Sequence, residues 1–339
     1  MPAHDAHADT TPPGEPAWRL ILRGAGLAFG LRVWLVGFAA LVLSGAWGGW
    51  PDPYAFFSSP RYALGAPLEA IERCLGLLAP PGVPSYHGGV AEDVAVGETL
   101  AASFAWLARL LVWGFALGVV ARIAALRLTI GERIGLKGGL GFVAGRWKTL
   151  LAAQLFACLV VAAPLLLLKL FTLPQRFGVG EVVSAALWPV ALVLSLLWVV
   201  LAGALVIGWP LLVASIAVER ADALDSLSRM FAYVTQRPLR LVAYIVMAAA
   251  VGWAGGMLVE GLASGAVAVS RLSGAGFPIL KPAMEVPLAE RMIRGWTELF
   301  MLVARGYYPA FLATAGTAIY LLLRRDIDEQ EADEVFVEE

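Results

Sequence analysis

From Val183 to Val218 the chain runs for 36 residues without a charged side chain. In water such a run has nowhere to go except a large core, and a helix of that length exceeds what a small core can cover. A bilayer needs about 20 apolar residues per helical crossing, so the run is long enough to span with residues to spare. In lipid every backbone N–H and C=O must be satisfied internally, which leaves a helix as the single-segment solution. The sequence Gly208–Trp209–Pro210 lies inside it, and Pro210 removes one backbone donor, so a kink or break is expected there.

The rest of the chain repeats this character. Of 339 residues, 60% are hydrophobic and 15% charged, against about a quarter charged in soluble domains. Six spans are expected, at about 18–47, 100–121, 150–172, 183–218, 241–269 and 299–323. They make an all-α polytopic transmembrane bundle over residues 17–325. A disordered tail, 1–16, precedes it and an acidic tail, 326–339, follows. Gly26 with Gly30, and Gly114 with Gly118, are small-residue pairs four apart that suit close helix packing. Residues 51–97 form the longest polar connection. Within it Pro67 to Leu78 places Leu68, Ile71, Leu75 and Leu78 on one face, as an outer interfacial helix would. Residues 270–296 read as a Pro-containing loop.

Two basic amphipathic segments interrupt the apolar runs. In 222–240, Leu224, Leu227, Phe231 and Val234 recur at spacings of three and four. Asp222 suits the N-cap and Pro238 ends the pattern. In 136–148, Leu136, Leu140, Val143 and Trp147 share a face. Each segment sits between two spans in the same order, a weak parallel repeat, and two amphipathic helices on one side of the membrane are expected.

Charge sets the orientation. Fifteen Lys and Arg fall on the side of the termini and these two segments, against seven on the other. The excess favours cytoplasmic N- and C-termini. Arginine outnumbers lysine 21 to 4 and asparagine is absent, a composition that reads as codon bias in a GC-rich genome.

Chemistry is sparse. Intramembrane charge is costly and marks a candidate site. Arg109, Glu260 and Arg305 fall within apolar runs in the outer half, with Lys169 near the outer end of its span. The first three form a candidate polar cluster able to gate or bind an anion; a structural ion pair with snorkelling is the plainer alternative. The three histidines, at 4, 7 and 87, lie outside the spans. No metalloprotease, nucleophile-elbow or phosphate-loop motif occurs. No catalytic residue, cofactor or metal is expected. Cys74 and Cys158 suggest no disulfide framework. With a net charge of −1 nucleic acid is not an expected partner. The bilayer is, and a protein partner could meet the basic surface of Arg133, Lys137, Arg146, Lys148, Arg229, Arg237 and Arg240. The acidic tail could instead dock there within the same chain.

Three stretches, FALGVVARIAALRLTIGERIGL (115–136), DALDSLSRMFAYVTQRPLR (222–240) and AIYLLLRRDIDEQEADEVFVEE (318–339), together resemble a family of uncharacterised bacterial six-span integral membrane proteins. The span–amphipathic helix–span layout is more loosely similar to Yip-type membrane domains and to glycerophosphodiester-phosphodiesterase-associated membrane domains. The resemblance implies a bacterial inner-membrane location and no activity. The expected function is a membrane scaffold or assembly factor without enzymatic chemistry, acting through its basic helices and acidic tail. The alternative is a channel or small-solute transporter using the outer-half charges.

Overall fold

A computed structural model describes residues 16–44, 96–172, 180–273 and 288–328. Among these, every regular element is a helix: α1 (Ala17–Ala28), α2 (Leu31–Leu43), α3 (Val96–Thr129), α4 (Leu136–Thr172), α5 (Gly180–Ala186), α6 (Trp188–Glu219), α7 (Ala223–Gln236), α8 (Pro238–Ser273), α9 (Leu288–Arg305) and α10 (Tyr307–Ile327). Five helices are long and apolar enough to cross a membrane. The α1–α2 pair, bent by 70°, raises the number to six if it counts as one crossing. The expected helical bundle is therefore present. The segment 67–78, the rest of the connection up to residue 95, and both outermost tails lie outside the described residues.

α3 and α10 form the centre. α3 packs on α1, α2, α4, α6 and α10, and α10 packs on α1, α2, α3, α6, α8 and α9. Residues 307–324 of α10 are buried almost without interruption. Lipid offers no hydrophobic drive between helices, so close approach through small residues must hold them. The glycines show where. Gly114 faces Gln154, and Gly118 faces Val143 and Leu150, as the pair's spacing predicts. On α8, Gly252, Gly255 and Gly256 receive the rings of Phe311, Tyr307 and Tyr308; a methyl group at Gly255 would lie 2.0 Å from the Tyr307 hydroxyl. The Gly26–Gly30 pair is different. Gly26 meets nothing within 4 Å, while Gly24 lies against the Thr314 carbonyl and Gly37 against that of Gly306.

Four boundaries differ from those read in the sequence. The first crossing is two helices, turned at Phe29–Gly30. Residues 136–148 are not a separate helix but the first turns of α4, 37 residues without a break. No proline or chain reversal separates them from the apolar run that follows, so helical hydrogen bonding continues. In the 183–218 run the interruption falls at Leu187, where Pro189 suits the start of a helix. Pro210 sits inside a continuous α6, and its ring packs where a side chain at Gly316 would be. Finally, 288–296 is not loop but the start of α9. Leu288, Met292, Trp296, Phe300 and Val303, spaced by three and four, share an exposed stripe on it. Gly306 separates α9 from α10, but its backbone is helical and residues 291–327 count as one membrane-length helix.

Candidate functional site

The described polar side chains concentrate at one end of the bundle, where α6 stops. Glu219 is its last residue, and three side chains from two other helices converge on its carboxylate. Tyr320 of α10 donates its hydroxyl to Oε1 at 2.7 Å. Arg324, one turn on, brings Nε to the same oxygen at 3.0 Å. Arg229 of α7 pairs with Oε2 and also with Asp225, one turn back on its own helix, at 3.0 Å. The Arg324 side chain is 5% exposed and that of Glu219 13%. Buried charges of this kind persist when paired and hydrogen-bonded, and both conditions hold here. Burial works against the charge on Arg229, but Asp225 and Glu219 outweigh it and hold its pKa above the usual value.

α7 is clamped beneath α6 by this network and by packing. Ser226, Leu227, Met230 and Tyr233 are its buried positions. Met230 fills the notch at Gly208 of α6, where a methyl group would lie 2.5 Å from Cγ. The buried face is thus turned from the expected one. Leu227 belongs to both, Phe231 and Val234 are partly buried, and Leu224 is 63% exposed. Period alone does not distinguish an apolar side chain meeting lipid from one meeting protein. Asp222 occupies the N-cap position, but its side chain makes no capping bond; its carbonyl accepts from Ser226 instead.

The start of the acidic tail closes the same surface. Asp326 accepts from Tyr244 at 2.7 Å and pairs with Arg240 at 3.0 Å, both on α8. Asp328 accepts from the Tyr233 hydroxyl. Burial, then the hydrogen bond to Asp328, raises the Tyr233 pKa, so the phenol stays neutral. The residues that open the acidic segment thus meet α7 and α8 through one ion pair and two tyrosine hydrogen bonds, and residues 329–339 lie outside the described residues.

On the α4 side of α6 the charges are alike. Arg220 caps α6 in the left-handed conformation at φ 56°, unusual for a side chain other than glycine. Its carbonyl accepts from Arg146 at 3.3 Å. Arg122 of α3, 4% exposed, donates to the Ala217 carbonyl at 2.9 Å. Cations at a helix C-terminus complement its dipole. The guanidiniums of Arg122 and Arg220 lie 4.4 and 5.8 Å from the Phe142 ring centre. Burial, then Arg146, lowers the Arg220 pKa.

The expected basic surface therefore divides. Arg229, Arg240 and Arg146 are committed to the contacts above, whereas Arg133, Lys137, Lys148 and Arg237 are exposed. The intramembrane set is not assembled by the described contacts. Glu260 is partly buried on α8, one turn beyond Gly256 and its Tyr308 ring, and Arg305 is exposed at the end of α9. α8 and α9 pack together, but α3, which carries Arg109, packs chiefly on other helices. The side chains of Arg109 and Lys169 lie outside the described residues. Unforeseen were Glu219, Tyr233, Tyr320 and Arg324. A signal existed: Glu219 is the first charge after the 36-residue run, and Arg324 is the first charge after the last apolar stretch, one turn beyond Tyr320. No group of metal-ligating side chains occurs among the described residues.

The chain matches no family model, no curated protein and no solved structure.

Proposed function

We propose that this protein is a non-enzymatic scaffold or assembly factor of the bacterial inner membrane, with both termini and the arginine-rich end in the cytoplasm. One observation carries the reading: the polar chemistry is spent on holding an amphipathic helix and the start of the acidic tail against the bundle. Such an end is a built surface, and Arg133, Lys137, Lys148 and Arg237 remain exposed around it for a protein partner. The fifteen-to-seven distribution of basic residues supports the cytoplasmic placement.

Truncation after Asp328 tests it. That cut removes residues 329–339 and keeps the two carboxylates that brace α7 and α8. A partner recovered with the full chain in detergent and lost on truncation is the expected result. A solitary full-length protein that moves solutes across liposomes would overturn it. The second reading, a channel or small-solute transporter, draws support from two buried polar groups. The Gln154 amide and the Tyr307 hydroxyl have no hydrogen-bond partner among the described residues, and a bound solute or water would satisfy both.

A further inference from the structure

We propose that the exposed apolar stripe of α9 is the docking surface for the chain's own segment 67–78, which lies outside the described residues. This goes beyond the scaffold reading and does not depend on it. α10 supplies 21 residues, about 31 Å of helix, and a bilayer core is about 30 Å thick. Arg324, Arg325 and Asp326 mark one boundary of that crossing, and Arg305, about 28 Å of helix back, marks the other. α9 continues the same membrane-length helix, Arg291–Ile327, beyond Arg305. There it carries Glu290, Arg291, Arg294 and Glu298, charges that place it outside hydrocarbon. Leu288, Met292 and Trp296 therefore stand about 14–26 Å of helix beyond Arg305, past the headgroups as well as the acyl chains. They are 67%, 56% and 67% exposed, and with Phe300 and Val303 they make one stripe. An apolar stripe of this kind outside the bilayer marks a protein contact.

Tether, pattern and charge select segment 67–78 as the cover. The connection 45–95 leaves from the end of α2, and α2 packs on α9, where the Trp34 indole donates to the Val303 carbonyl at 2.5 Å. The stretch between Ser44 and Pro67 can reach about 70 Å when extended, more than the whole length of α9. Leu68, Ile71, Leu75 and Leu78 recur at spacings of three and four, so they share one helical face about 15 Å long. The stripe from Leu288 to Phe300 has the same period and is about 18 Å long, and two such ridges pack helix on helix. In the segment Glu69 and Glu72 outnumber Arg73, whereas in α9 three arginines outnumber two glutamates. Arg291, exposed and one turn from Leu288, borders the stripe. An acidic segment thus meets a basic helix, which favours this pairing and sets its register.

Disulfide trapping of the full chain in nanodiscs, with Cys74 and Cys158 replaced by alanine, tests the assignment. The pair Leu75→Cys with Met292→Cys should cross-link under mild oxidation about tenfold faster than Leu75→Cys with Glu298→Cys, which lies on the charged side of α9. The product should be a monomer. Independently, Trp296→Asp changes an exposed position and keeps the fold. It should raise trypsin cleavage at Arg73 about tenfold and leave cleavage at Arg61 unchanged. Equal cross-linking of the two pairs, or cleavage at Arg73 unchanged in Trp296→Asp, would overturn the proposal. A cross-linked dimer would assign the stripe to a second copy. Shielding of Met292→Cys from a water-soluble maleimide after deletion of residues 67–78 would assign it to lipid. Either result would overturn docking of this segment.

Discussion

The segments 136–148 and 222–237 have the same order of parts in the sequence, yet the bundle uses them differently. The second is a separate helix, α7, ended by Pro238 and locked from below by Arg229 and Tyr233. The first is continuous with a crossing helix. Its inward positions are Gly139, Phe142, Val143 and Leu150, while Leu140 and Trp147 are exposed. Like patterns thus lead to a strut in one case and a surface in the other. What separates them is covalent and local: a proline that ends one helix, and its absence from the other. What makes the strut hold is remote, since Glu219 and Arg324 are 105 residues apart in the chain.

If α7 is a strut, its anchor should matter most. Glu219→Gln leaves Arg324 and Arg229 facing a neutral amide, and Arg324 has little water to turn to. A loss of about 3–5 kcal/mol is expected, the cost of breaking a buried ion pair. It should be read as a fall in melting temperature in detergent, with earlier proteolysis of the link around Arg237. A Glu219→Gln protein as stable as the parent would remove the distinction between the two segments.

The next effect tests the packing of the same helix. Gly208→Ala places a methyl group against Met230 and should cost about 1–3 kcal/mol. Met230→Ala in the same chain should recover part of this, and a double-mutant cycle measures the coupling. Strict additivity would mean that Met230 does not seat in the Gly208 notch.

The smallest effects belong to the other segment. Gly141 and Gly145 of α4 have open space around them. Alanine at either should stabilise by about 0.5–1 kcal/mol through helix propensity alone. Lys148→Gln should change stability by less than about 0.5 kcal/mol, as at other exposed positions. Destabilisation by Gly141→Ala would reveal a close contact on the face described here as surface, and would bring the two segments closer in kind.

The helical architecture was legible in the sequence because lipid leaves the backbone few choices. Long charge-free runs must be helical, and their number follows from length. The breaks at Phe29–Gly30, Leu187 and Gly306 were less so. The first is a 70° change of direction with the Phe29, Trp34 and Tyr307 rings packed around it, partners that the sequence does not bring together. The polar site was half legible. Arg229 and Arg240 stood out as charges on an amphipathic segment, but their partners Glu219 and Asp326 lie on other helices, and helical period says nothing about neighbours.

The sequence by itself determined that this is a bundle of membrane-length helices, read as six crossings where the structure gives five or six, with a basic end and an acidic tail. Apolar length and charge placement are properties of the chain, and they act wherever the chain is. Only the tertiary structure decided which arginines are spent inside and which remain on the surface. It also turned α7 so that Met230 and Tyr233, not Leu224, face the bundle. Those outcomes depend on a notch at Gly208 and a carboxylate at Glu219 that exist for α7 only once α6 and α10 have packed.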